Sequence, residues 1–281
     1  MQSKLLAILA LAGLVSGDSK GPLHPGGPAP GAQRQYGAPV EVGNGRARTY
    51  VVVDQKTGDP VEVGVALDEA ALEGLSATGD HGGGGHEPYS SFILSLPAGN
   101  DTPYRFVELN WNPKGHGGPY TAPHFDFHFY RIPLAERDAI DPETPEYAAR
   151  AANLPAADQL PAGYISSHLL MNLSPAQATV PKMGLHWIDT GSPELPPRNQ
   201  PFTATFIIGS WDGKVIFDEP MITRAFILAQ RDAAAASSEA IPVPAAQRYA
   251  PAGFYMSGYR VGYDAPAGEY RIALTGLSHR D

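Results

Sequence analysis

Pro123-His124-Phe125-Asp126-Phe127-His128-Phe129-Tyr130 alternates two kinds of side chain without a break. A period of two is that of a strand, so His124, Asp126, His128 and Tyr130 share one face while Phe125, Phe127 and Phe129 share the other. The phenylalanine face must pack into a core. That leaves the imidazole and carboxylate face toward solvent, a second layer or the inside of a barrel.

Outward from this stretch, residues 48–54 and 60–67 are β-branched runs joined by Gln55-Lys-Thr-Gly-Asp59, a loop of hairpin length. Asp68 stands where an N-cap would open a short helix that ends at Gly74. Residues 91–96 and 104–110 read as further strands. Residues 203–209 and 214–217 flank Ser210-Trp-Asp-Gly213, whose Asp-Gly is the strongest hairpin signal in the chain. Residues 255–263 and 269–274 make a second hairpin around Asp264-Ala-Pro-Ala-Gly268. Short helices are expected over residues 133–140 and 145–153, residues 163–173 fit strand or helix, and the glycine-rich residues 79–87 read as a surface loop or a flap carrying His81 and His86. Nine or ten strands, few short helices and no internal repeat predict a mainly β fold. An antiparallel barrel-like domain is the most economical version, because it buries one face of each strand and hides the edges.

The N-terminus opens Met1-Gln-Ser-Lys4, continues with an apolar run over residues 5–15 and reaches Ser16-Gly17, the layout of a secretory signal peptide over residues 1–17. The run is about eleven residues against the roughly 20 needed to cross a bilayer, and no second one follows, so no membrane span is expected. Residues 18–46 read as a flexible Gly/Pro-rich leader and residues 47–281 as a single barrel-like domain, in a secreted or periplasmic setting. Gly 31 and Pro 28 against 17% charged residues suit a turn-rich β protein better than a helical bundle. The absence of cysteine rules out a disulfide framework. A net charge of −9 without a basic stretch argues against nucleic acid and anionic membrane as partners.

Four of the nine histidines, His116, His124, His128 and His186, fall in two short segments. Neutral imidazole is the commonest transition-metal ligand, and a carboxylate completes such sites. Residues two apart on a straight strand lie roughly 6–7 Å apart, so Asp126 can work with either neighbouring histidine; His124 and His128, roughly 13 Å apart, cannot share an ion unless a bulge bends the strand. The candidate ligands are His124, Asp126, His128, His186 and Glu219, with a divalent metal as cofactor: zinc is favoured, and iron or manganese are the alternatives. If the ion is catalytic, it polarises an oxygen or activates water in metal-assisted hydrolysis or lyase-type chemistry on a small molecule, and Glu108 or Tyr130 moves the proton. Two other readings of the same residues stand beside this one: a metal-free acid-base or ligand pocket, and a purely structural polar network.

Trp111-Asn-Pro-Lys-Gly-His116, Pro123 through Tyr130, Met183-Gly-Leu-His-Trp-Ile-Asp189, residues 206–223 and the final Tyr270-Arg-Ile-Ala-Leu274 together resemble a family of uncharacterised extracytoplasmic proteins. That family includes a Thermus factor regulated by the envelope-stress sigma factor. The resemblance implies a mainly β, barrel-like subunit, ring-like homo-oligomers and a cell-envelope setting. It implies no reaction. The competing function is therefore a non-catalytic envelope-stress protein, either a small-ligand binder or an oligomeric scaffold.

Overall fold

The computed structural model describes residues 31–83, 86–232 and 239–281. The expected signal peptide, and the expected leader up to residue 30, lie outside the described residues. In chain order the first strands are β1 (Ala32–Tyr36), β2 (Val40–Val42), β3 (Gly45–Asp54), β4 (Pro60–Asp68), β5 (His81–Gly83), β6 (His86–Ser95), β7 (Phe106–Asn112) and β8 (His124–Tyr130). After the helices α1 (Leu134–Asp138) and α2 (Tyr147–Ala152) come β9 (Tyr164–Ser166), α3 (Ser167–Met171), α4 (Pro175–Ala178), β10 (Leu185–Asp189), β11 (Ala204–Trp211), β12 (Lys214–Thr223) and α5 (Arg224–Ala229). The chain ends with β13 (Ile241–Pro242), β14 (Gly253–Tyr255), β15 (Gly258–Asp264), β16 (Glu269–Thr275) and β17 (Ser278–Arg280). None of the described helices is long and apolar enough to cross a membrane.

The fold is mainly β and antiparallel, but the expected barrel does not close. One open sheet has seven strands in the order β1-β3-β4-β16-β15-β13, with β2 paired to β3; the other has eight, β5-β6-β7-β8-β12-β11-β10-β9. Four of the five edge strands of these two sheets, β2, β5, β9 and β13, are only two or three residues long, and short edges offer little template for further pairing. Burial comes from stacking instead of closure. Val51, Val63, Val65, Leu67, Ile272 and Leu274 of the smaller sheet meet Leu109, Phe125, Phe127, Phe129 and Ile208 of the larger one in a single core. The phenylalanine face of β8 lies in this core, and each ring contributes about 1.5–3 kcal/mol by burial.

The sequence reading put residues 31–46 in the leader, yet β1 pairs with β3 from Ala32↔Asp54 to Tyr36↔Tyr50. A five-residue edge strand is too short for its alternation to stand out from a Gly/Pro-rich context. Residues 79–87 likewise contribute β5 and β6, which pair His81↔Tyr89, because ladder bonds are made by backbone and do not need side chains. The ambiguous stretch at 163–173 is both things in turn: β9, then α3, stopped by Asn172 at φ 53°. The Asp-Gly turn is as expected, with Asp212 at φ 49° and Gly213 at φ 77°, the left-handed pair that matches strand twist.

The outer face of the large sheet is roofed. Ile132, Ile140, Tyr147, Ala151 and Met183 pack onto Phe106, Tyr130, Trp211 and Phe217 at one side, and Tyr120 and Phe202 pack onto Ile207 and Met221 at the other. The face that carries the histidines is therefore enclosed between these two apolar clusters.

Candidate functional site

Three central strands bring the polar residues together by register alone. Asn112, Asn110 and Glu108 of β7 stand opposite His124, Asp126 and His128 of β8. On the other side of β8, Met221 and Phe217 of β12 oppose Asp126 and Tyr130, with Glu219 between them on the same face. Next along, Gly209 of β11 pairs with both Phe217 and His186, which carries His186 of β10 onto this face.

Gly209 matters because a Cβ there would fall 2.1 Å from the Phe217 ring. Its absence lets Phe217 lie across the strand, and that ring sets both neighbouring imidazoles, with centroids at 4.8 Å from His128 and 5.5 Å from His186. Gly184, two residues before His186, is at φ 82°, and a Cβ there would meet the Ser210 carbonyl at 2.4 Å.

The five expected ligands do not converge on one point. His128, His186 and Glu219 form one triad with ligand atoms within 4.8 Å of one another; His124 and Asp126 belong to a second with His116. The regular β7–β8 register from Phe106↔Tyr130 to Asn112↔His124 contains no bulge, so His124 and His128 stay apart as strand geometry requires. In the first triad Nε2 of His128 is 3.5 Å from Oε1 of Glu219, and Nε2 of His186 is 3.9 Å from Oε2. The His128 and Glu219 side chains are 1% and 3% exposed and that of His186 is 17%, so the triad is reached from the His186 side.

Both ring nitrogens of His128 and Oε2 of Glu219 are buried without a hydrogen-bond partner among the described residues. Buried polar atoms are normally satisfied, and leaving one bare costs about 1–3 kcal/mol. Burial pushes His128 below the ordinary histidine value, which keeps its lone pair available. Burial, reinforced by the charges of Asp126 and Glu108, pushes the Glu219 carboxyl well above the usual carboxylate range. With His186 these two residues make a group whose ligand atoms could hold a metal ion.

Glu108 and Tyr130 are placed differently from the sequence expectation of free proton carriers. Glu108 pairs with the guanidinium of Arg137 and accepts from Ser91 Oγ at 2.7 Å and Asn110 Nδ2 at 3.3 Å. The Tyr130 hydroxyl donates to the Lys182 carbonyl at 3.0 Å, and burial raises its pKa well above the ordinary tyrosine value. The sequence reading noted His116 among the clustered histidines but not as a ligand; only the tight turn at Gly115, where a Cβ would meet the Tyr120 carbonyl at 2.2 Å, folds it back against His124.

Residues 56–111 match the model of a family described as TTHB210-like, after the hypothetical protein TTHB210 of a Thermus species. No curated protein and no solved structure matches the chain. The matched stretch covers β4 to β7 and includes Glu108, but none of the residues of either triad. Of the segments that carry the resemblance the matched stretch reaches only Trp111, and the description carries nothing about envelope stress or sigma factors.

Proposed function

We propose that the protein is a secreted or periplasmic metalloprotein in which His128, His186 and Glu219 hold one divalent cation, zinc being favoured, with a coordination position open on the His186 side. The observation that carries this reading is the set of buried, converging and unpartnered ligand atoms on His128 and Glu219. Two imidazoles and one carboxylate with a fourth position open is a donor set suited to zinc, and such an ion supplies Lewis acidity and lowers the pKa of bound water. The reaction class that fits is metal-assisted hydrolysis or lyase-type chemistry on a small molecule admitted past His186. Glu108 and Tyr130 support the site in this reading: Glu108 anchors Arg137, and Tyr130 lies under His128 with ring centroids at 5.9 Å and planes 24° apart.

The test is metal content of untagged protein after dialysis, followed by cobalt(II) substitution. The proposal expects a bound ion that is lost in His128→Ala and a tetrahedral cobalt absorption lost in Glu219→Gln. Retention of all bound metal in both variants would falsify it.

A second reading, an oligomeric scaffold, is favoured by one feature: Leu169, Leu170 and Met171 of α3 and the following Leu173 are 61%, 49%, 51% and 40% exposed. Contiguous exposed leucines of this kind mark interaction surfaces. Sedimentation velocity on the wild type and Leu170→Glu separates the readings, since a scaffold dissociates in the variant and a monomeric metalloprotein is unchanged.

A further inference from the structure

We infer that His116, His124 and Asp126 form a second divalent-cation site, separate from the His128, His186 and Glu219 centre. The ligand atoms of the three residues lie within 4.8 Å of one another, and no residue belongs to both triads, so nothing bridges them. Nδ1 of His124 is 2.7 Å from the Ala122 carbonyl, and a carbonyl only accepts, so Nδ1 carries the hydrogen. In the neutral ring the lone pair is then on Nε2. It faces Oδ1 of Asp126 at 3.2 Å, yet both atoms are buried without a hydrogen-bond partner.

A divalent cation beside these two buried atoms would take both as ligands and satisfy them. The remaining contacts are those that orient ligands: Asn112 Nδ2 donates to Oδ2 of Asp126 at 2.8 Å, and the Ala122 carbonyl fixes the His124 tautomer. His116 closes the triad with its ring edge-on to His124 at 4.7 Å, and Phe202 packs against His124 at 5.3 Å and excludes water on that side.

Charge points the same way. Three carboxylates, Glu108, Asp126 and Glu219, are buried on one sheet face, and Arg137 neutralises the first. Among the described residues the ion-pair partners of the other two are all histidines. Two divalent cations, one per triad, compensate both.

Zinc(II) titration of the untagged full chain against a competing chelator, with folding checked by far-UV circular dichroism, tests this. The inference expects two ions in the wild type, one in His116→Ala, one in His186→Ala and none in the double variant. Should His116→Ala fail to fold, the isosteric Asp126→Asn is expected to lose the same single ion. Two ions retained in His116→Ala, or in Asp126→Asn when that variant decides, overturn it. One wild-type ion that disappears only in His186→Ala overturns it while leaving the proposed centre intact; one that disappears only in His116→Ala supports it and removes the proposed centre. An ion lost in either single variant is one shared site and overturns the inference, and no binding at all overturns both.

Discussion

The two sheets turn outer faces of opposite character to their surroundings. On the smaller sheet every buried carboxylate meets a guanidinium: Glu269 with Arg48 at 2.7 Å and Arg271 at 2.9 Å, Asp264 with Arg271 at 2.5 Å; and the partly exposed Glu62 meets Arg260 at 2.6 Å while accepting from the Tyr50 hydroxyl at 2.7 Å. On the outer face of the larger sheet Glu108 follows that pattern with Arg137, as Asp218 of the same sheet does with Arg131 at 2.6 Å, whereas Asp126 and Glu219 face histidines with unpartnered atoms between them. The same β geometry thus produces one face whose carboxylates meet guanidinium groups and one whose histidine and carboxylate groups could hold a metal ion. Length and composition do not separate these faces; the identity of the positive partner does. Arginine carries its charge at every physiological pH, whereas a buried neutral imidazole offers a lone pair instead.

The sharpest way to break this comparison is to make the complete pair incomplete. Arg137→Ala leaves Glu108 buried without its cation, which costs about 3–5 kcal/mol. In a thermal melt that is roughly 6–20 °C for a chain of this size, and Glu108→Gln added to Arg137→Ala should return much of it. A loss below 1 kcal/mol would mean that the larger face is wetter than its burial indicates.

Metal removal acts only on the unsaturated face. With zinc at about 100 to 1,000 times its Kd, binding adds roughly 3–4 kcal/mol, so chelation lowers the midpoint by about 5–16 °C. Glu219→Gln sharpens the point, because its effect changes sign with the ion. The amide removes a buried carboxyl whose charged form is disfavoured, so metal-free variant melts above metal-free wild type, while zinc-loaded variant melts below its counterpart, each by about 1–3 kcal/mol. A variant that is less stable in both conditions would contradict the account of that carboxylate.

Gly209→Ala perturbs the site through packing. The added methyl displaces Phe217 from between His128 and His186, with an expected loss of about 1–3 kcal/mol and weaker metal binding at that triad. Unchanged zinc affinity would separate Phe217 from the positioning of the ligands.

The smallest effect is on the complete face. Burial alone would raise the Glu269 carboxyl, but Arg271 and Arg48 outweigh it and hold it below the usual carboxylate range. A lowered folded value means that the stabilisation is complete above the unfolded value of roughly 4.3 and is lost as pH falls through the folded one. Glu269→Gln should therefore cost roughly 1 kcal/mol at pH 7, and its melting curve should approach the wild-type curve as pH falls below the unfolded value, with no response to zinc.

Much of this was legible before the structure, and the illegible part has a physical cause. The alternation in residues 123–130 gives both faces of β8, and the roughly 13 Å between His124 and His128 already forbids a shared ion on a straight strand. What it does not give is the cross-strand register, and the division of ligands into two triads depends on that: His186 pairs with Gly209, which pairs in turn with Phe217, and Nε2 of His186 comes 3.9 Å from Glu219. His116 belongs to a turn, where no periodicity reports on direction; Gly115 before it was the available signal. The barrel was inferred from a need to hide edges, and strands of two and three residues meet that need without closure.

The most direct test of the central claim is anomalous diffraction at the zinc absorption edge from crystals of the untagged protein grown with zinc. The account predicts a peak about 2.0–2.2 Å from His128 Nε2, His186 Nε2 and a Glu219 oxygen. Density without a peak, with His128 bonded directly to Glu219 through a shared hydrogen, would contradict it.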